Sequence, residues 1–189
     1  MKNYQYLNLE QKMLRIRRKM PTLLKKFYND EAEYDFSTLD DIYEAMTPAL
    51  NKYGVNFDIV REIPTQYDKE GHPTYLVLDK DDFWRYEADV ELSWTNADRP
   101  EECRHATIHI TGTNEIPDKA HGTALTYGLK YYFRNKFCIR QVGSGGDGAL
   151  ALGHGGDGAL AVDRGPEVIV DLLSPVDGEN CVGHLTVDV

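Results

Sequence analysis

The spacing of apolar positions changes from helical to strand-like and back along the chain. Leu9, Met13, Ile16, Met20 and Leu23 recur at steps of three or four, and Asn8 with Gln11 has the form of an N-cap and its capping-box partner. This predicts an amphipathic helix with a basic outer face, ended or kinked at Pro21. A second helix is predicted from Ser37 or Thr38, with Asp40 and Asp41 in its first turn and Leu39, Ile42, Met46, Leu50 and Tyr53 on one face. Gly54 is its stop, and Pro48 interrupts its later turns.

From Val55 the period falls to two: Val55, Phe57 and Ile59 alternate with Asn56 and Asp58, as in a half-buried strand. The turn YDKEGHP follows, then strands TYLVL, FWRYEADVELSW and RHATIHIT, joined by the polar connections DKDD and NADRPEE. Pro117 suits the first turn of a last helix, DKAHGTALTYGLKYYFRNKF, in which Gly122 and Gly128 are expected to mark close packing. The predicted fold is α+β: an antiparallel β-meander of three to four strands packed with helices. The domain is placed at residues 1–141. Beyond it GGDGALAL recurs as GGDGALAV ten residues later, and residues 142–189 read as a Gly/Asp-rich linker and weakly ordered tail.

Composition narrows the class. The chain has 189 residues, 41% of them hydrophobic, enough for one core, and no apolar run long enough to span a membrane. Its first residues lack the apolar segment of a signal peptide, so a cytoplasmic location is expected. Cys103, Cys138 and Cys181 are far apart with no CxxC pair, which argues against a disulfide framework and a structural zinc site; Cys138, among apolar neighbours, is expected to be packed. The net charge of -10 hides two basic islands: residues 1–27 carry eight Lys or Arg against Glu10, and residues 117–140 carry five against Asp118. A polyphosphate partner needs such islands.

The second island carries the candidate chemistry. On a helix Lys119, Thr123, Thr126 and Lys130 share roughly one face, while Leu125, Leu129, Tyr132 and Phe133 share another. Cations interleaved with Tyr127, Tyr131, Tyr132, Phe133 and Phe137 suit phosphate contact plus base stacking, which is sequence-tolerant. The same pattern also describes aromatics that are simply core beneath a solvated charged face. Spacing leaves both readings open, and Tyr127 could belong to either.

The run from Gly112 to Ile139 resembles the ERF family, phage single-strand annealing proteins named for essential recombination function. Asp118, Lys119, Ala120, Gly122, Ala124, Leu125, Thr126, Tyr127, Tyr131 and Phe137 carry the likeness, with PALNKYG at 48–54 as a second segment. His121 and Thr123 depart from it, as does GSGGDG where the family often has acidic residues. The resemblance implies a β-β-β-α annealing core and an ATP-independent protein that coats single-stranded DNA as a homo-oligomeric ring or filament. It names single-stranded DNA as partner, and a single-strand-binding protein as a further candidate. The expected DNA-binding residues are Lys119, Thr123, Thr126, Tyr127, Lys130, Tyr131, Arg134 and Lys136, with Arg15, Arg17 and Arg18 of the first helix. No enzyme activity, cofactor or metal is expected, and no GxxxxGK[ST] loop is present to cradle a nucleotide.

Other chemistries are weaker. His105 and His109 are four apart in a strand pattern, about 13 Å, too far to share an ion. Asp79, Asp81 and Asp82 have nuclease-like charge but sit in a turn composition. The alternative from a different class is an acidic adaptor that docks on a recombination or replication partner through its basic helices.

Overall fold

Local signals set the first two helices. The Asn8 side chain accepts from the Gln11 amide at 2.9 Å, the Asn8 amide donates to the Gln11 side chain at 3.1 Å, and α1 runs Leu9–Arg17. The computed structural model describes residues 4–29 and 34–143. The repeats and the rest of the predicted tail from residue 144 lie outside them. α1 stops short of Pro21, so Leu23 leaves the predicted helical stripe and enters β1 (Leu23–Lys25). Proline disfavours helix at the residue before it, and the chain turns extended there. A short hairpin follows, β2 (Phe27–Asn29) with β3 (Tyr34–Phe36). Thr38 is the cap of α2 (Leu39–Tyr53), boxed with Asp41, and Gly54 ends it in the left-handed region at φ 63°. Gly54 is therefore a stop that a side chain would strain.

The sheet follows as β4 (Val55–Pro64), the minor pair β5 (Gln66–Tyr67) and β6 (Pro73–Thr74), then β7 (Leu76–Leu78), β8 (Trp84–Asn96) and β9 (Arg99–Asn114). β8 is central: β9 pairs along one side of it, and β4 and β7 share the other, all antiparallel. β8 and β9 are longer than the alternation predicted, because the polar stretch NADRPEE holds only a tight turn at Ala97 and Asp98 before β9 begins. Alternate residues of β8, Tyr86, Ala88, Val90, Leu92 and Trp94, are buried under the helices. The opposite face is charged: Arg61 binds Glu91 through two bonds of 2.7 Å, and His109 lies 2.9 Å from Asp89.

The last helix, α3 (Pro117–Lys136), lies across β8 and β9 and leads into β10 (Gln141–Gly143), which pairs in parallel with β1. The described fold thus runs through Gly143, and α2 packs against α3 while α1 packs against α2. Small residues set how closely α3 approaches. A Cβ on Gly112 of β9 would stand 2.5 Å from the Ala124 nitrogen and 2.8 Å from the Ala120 carbonyl oxygen, and one on Gly128 would stand 2.3 Å from Cγ2 of Ile110. Gly122 corrects the expectation made for it: nothing lies within 4 Å of the position its Cβ would take. Beneath α3, Trp94 donates to the Tyr132 hydroxyl at 2.7 Å and meets Phe57, Phe133 and Phe137.

Lys12 departs from the basic outer face predicted for α1. It is fully buried, with Nζ 2.5 Å from Asn96 Oδ1 and 2.5 Å from Asp98 Oδ2, and so ties α1 to the β8–β9 turn. Glu102 completes the junction by accepting from the Leu9 amide and from Asn96, both at 2.8 Å. Desolvation acts to raise the pKa of the Glu102 carboxyl, but the bonds from Asn96 and Leu9 and the charges of Arg99 and Lys12 together outweigh it and hold the group below its ordinary value.

Cys138 is exposed, against the packed position expected of it, because it serves as the turn that ends α3. Its φ is 52°, and the Ile139 amide returns to the Arg134 carbonyl at 2.9 Å while the Cys138 amide returns to Asn135 at 3.2 Å, the pattern of a Schellman cap. Glycine is the usual occupant of that left-handed position. Cys138→Gly is expected to stabilise the fold by ~1 kcal/mol. An unchanged or lower midpoint in urea unfolding would refute this.

Candidate nucleic-acid interface

Helical spacing brings four of the predicted residues together on the outside of α3. Tyr127 and Tyr131 stack with centroids 6.5 Å apart and planes 27° from parallel. Lys130 Nζ lies 4.3 Å from the Tyr127 centroid and 5.7 Å from that of Tyr131, and the Arg134 guanidinium lies 5.6 Å from Tyr131. Positions 127, 130, 131 and 134 are neighbours on one helix surface, so the chain needs only a formed helix to build this ladder. Desolvation, and then the charge of Arg134, hold the Lys130 ammonium below the usual lysine pKa. An arriving phosphate would offset both effects.

The rings divide between the two readings that spacing left open. Tyr132, Phe133 and Phe137 are core, whereas Tyr127 and Tyr131 are half-buried on the outer surface. Cations over aromatic faces gain about 0.5–1 kcal/mol each at exposed sites, and the ladder is a surface of π faces and positive charge. Such a surface offers stacking to a base and hydrogen bonds to a phosphate.

The remaining predicted residues lie elsewhere. Lys119 and Thr126 are exposed and Thr123 half-exposed. Lys119 shares the face of Lys130 but stands about 16 Å along the axis from it, eleven residues away. Desolvation holds the ammonium of Lys136, near the end of α3, below the usual lysine pKa, while the charges of Glu10 and Arg104, which pair with each other at 2.7 Å, act on it in opposite directions. Arg17 and Arg18 are exposed, and Arg15 lies with its guanidinium 6.0 Å from the Tyr4 centroid.

The structure adds residues that sequence spacing does not reveal. Phe36 of β3 closes over Lys130 at 5.8 Å, and Lys52 at the end of α2 joins Arg15 over Tyr4 at 6.0 Å. Both depend on chain segments brought together by the fold, and no local pattern signals them. Gln141 accepts from Arg134 at 3.4 Å, so β10 begins at the edge of the ladder.

Residues 9–144 match the family model of the ERF superfamily, a span that includes the whole of α1, the sheet, α3 and β10. The chain belongs to that superfamily. No curated protein matches it significantly. ERF membership places the chain in recombination and strand annealing, in agreement with the likeness carried by Gly112 to Ile139. Among the described residues no helix of this ERF protein is long and apolar enough to cross a membrane.

Proposed function

We propose that this ERF protein binds single-stranded DNA through the outer face of α3 and anneals complementary strands without ATP, during phage recombination in the bacterial cytoplasm. The observation that carries the proposal is the ladder of Tyr127, Lys130, Tyr131 and Arg134 on a surface whose other side is core. Annealing needs a strand held by its backbone with base edges left free. Phosphate contacts and one-sided stacking do this without reading sequence. Lys119, Thr123 and Thr126 extend the same face toward the helix start and are assigned to the phosphates of the same strand.

The test is salt dependence. Replacing Lys119, Lys130 or Arg134 with Ala is expected to weaken capture of an oligonucleotide and to flatten the log-log salt slope by ~0.7 for each phosphate that is no longer neutralised. Lys119 is exposed, so its loss should change stability by about ±0.5 kcal/mol or less. Lys130 and Arg134 are half-buried over Tyr127 and Tyr131 and their loss should cost about 0.5–2 kcal/mol, so binding is read below each variant's melting temperature. Wild-type slopes in all three variants would reject the site.

Assembly into a ring or filament is proposed from the sheet edges. Among the described residues no strand pairs with the outer edge of β4 or of β9. Both run antiparallel to β8 and hence parallel to each other, so a head-to-tail contact can lay β4 of one copy along β9 of the next. Long open edges call for such a cover. Sedimentation of the protein as a single copy would remove this reading.

A further inference from the structure

We infer that the molecule has a second single-strand site at the far end of α2, built from Tyr4, Arg15, Lys52 and Tyr53, and that it holds the complementary strand while the α3 ladder holds the first. The inference rests on the annealing role proposed above and assigns the second substrate of that reaction.

Tyr4 and Tyr53 meet edge to face at 4.8 Å, and Lys52 lies 6.0 Å from the Tyr4 centroid and 5.8 Å from that of Tyr53. Arg15 reaches Tyr4 from α1 at 6.0 Å. Tyr53 is buried and anchors the group, Tyr4 and Arg15 are half-exposed, and Lys52 is exposed. Exposed Arg18 follows Arg15 by one helical turn. The cluster therefore repeats the chemistry of the ladder, cations arranged about tyrosine rings, on residues from two other helices and the segment before them.

The position of α2 separates the two clusters. Phe36, which covers Lys130, precedes the first residue of α2 by three, whereas Lys52 is next to its last. Fifteen helical residues span roughly 20 Å. The exposed or half-exposed polar positions of α2 between them begin with Asp40, Asp41 and Glu44, continue as Thr47 and Asn51, and include no cation before Lys52. Lys26 answers Asp41 at 3.3 Å, which leaves Asp40 and Glu44 facing outward. A single strand crossing from one cluster to the other over α2 would place phosphates against carboxylates. Two separate tracks avoid that repulsion, and annealing has two strands to bring together.

The experiment uses the full chain, two non-complementary labelled oligonucleotides added in sequence, and then a complementary pair. Arg15→Gln with Lys52→Gln is expected to keep first-strand affinity within about twofold while second-strand capture and the annealing rate fall at least about tenfold, and Tyr4→Leu is expected to act in the same direction. Arg15 and Lys52 lie outside the core, whereas Tyr4 packs against its edge at Tyr53, so the Arg15 and Lys52 variant is the primary test and the melting temperature of each variant serves as the check on folding. Equal loss of first- and second-strand capture would overturn the inference in favour of one continuous track. Annealing at the wild-type rate by both variants would overturn it outright. Wild-type protein unable to capture even one strand is a different result, and it would reject the parent reading together with this one.

Discussion

Gly112→Ala is expected to lower the melting temperature by roughly 10 °C, from a destabilisation of about 3 kcal/mol. The atoms in the way are backbone: the new Cβ would stand 2.5 Å from the Ala124 nitrogen and 2.8 Å from the Ala120 oxygen. No rotamer change relieves that overlap. α3 would have to step away from β9, which opens the packing of Ala120, Ala124 and Gly128 over Ile108 and Ile110. Gly122→Ala is the control on the same helix. With nothing within 4 Å of its added carbon it should gain about 0.5–1 kcal/mol from helix propensity alone. Differential scanning calorimetry of the two variants decides the matter. A Gly112→Ala melting point close to wild type would mean that the helix–sheet approach is not fixed by this glycine.

Legibility in the sequence followed the range of the interaction. The Asn8–Gln11 and Thr38–Asp41 caps, the Gly54 stop, the alternation in β8 and the span of α3 are all set by residues a few positions apart and are readable as patterns. The alternation expected in β4 holds at Val55 and Phe57 and fails at Ile59, which is exposed where the pairing with β8 shifts register. The pairing of β1 with β10 is not readable as a pattern. Its strands are three residues each, LLK and QVG, too short to show alternation and more than a hundred residues apart. The burial of Lys12 is hidden for the same reason, since its partners Asn96 and Asp98 lie 84 and 86 residues away and only the fold turns a surface-type residue inward. In the candidate site, the spacing of Tyr127, Lys130, Tyr131 and Arg134 was visible as one helix surface. Which way that surface faced was not, because its neighbours Tyr132 and Phe133 have the same composition and only the sheet beneath them settles which rings are core.

That division of the rings leads to the largest expected functional effect. Tyr127→Leu combined with Tyr131→Leu is expected to weaken single-strand binding at least ~30-fold, since stacking on an aromatic is worth ~1–3 kcal/mol per base. Leucine keeps an apolar body on the helix surface but removes the π face over which the neighbouring cations lie and on which a base would stack. Lys130 and Arg134 would also lose the rings over which they are held, at 4.3 Å from Tyr127 and 5.6 Å from Tyr131. Neither ring belongs to the buried core, so the cost in stability is confined to their lost contacts with each other, Lys130 and Arg134, about 0.5–1 kcal/mol each. Tyr132→Leu supplies the opposite behaviour one residue away. Its ring is buried and its hydroxyl accepts from Trp94 at 2.7 Å, so that variant should melt earlier while the protein that remains folded binds DNA as before. Anisotropy titrations below the melting temperature, paired with thermal unfolding of each variant, separate the two outcomes. Wild-type binding and annealing by the double tyrosine variant would take the outer face of α3 out of the DNA site, whatever the salt dependence of its cations.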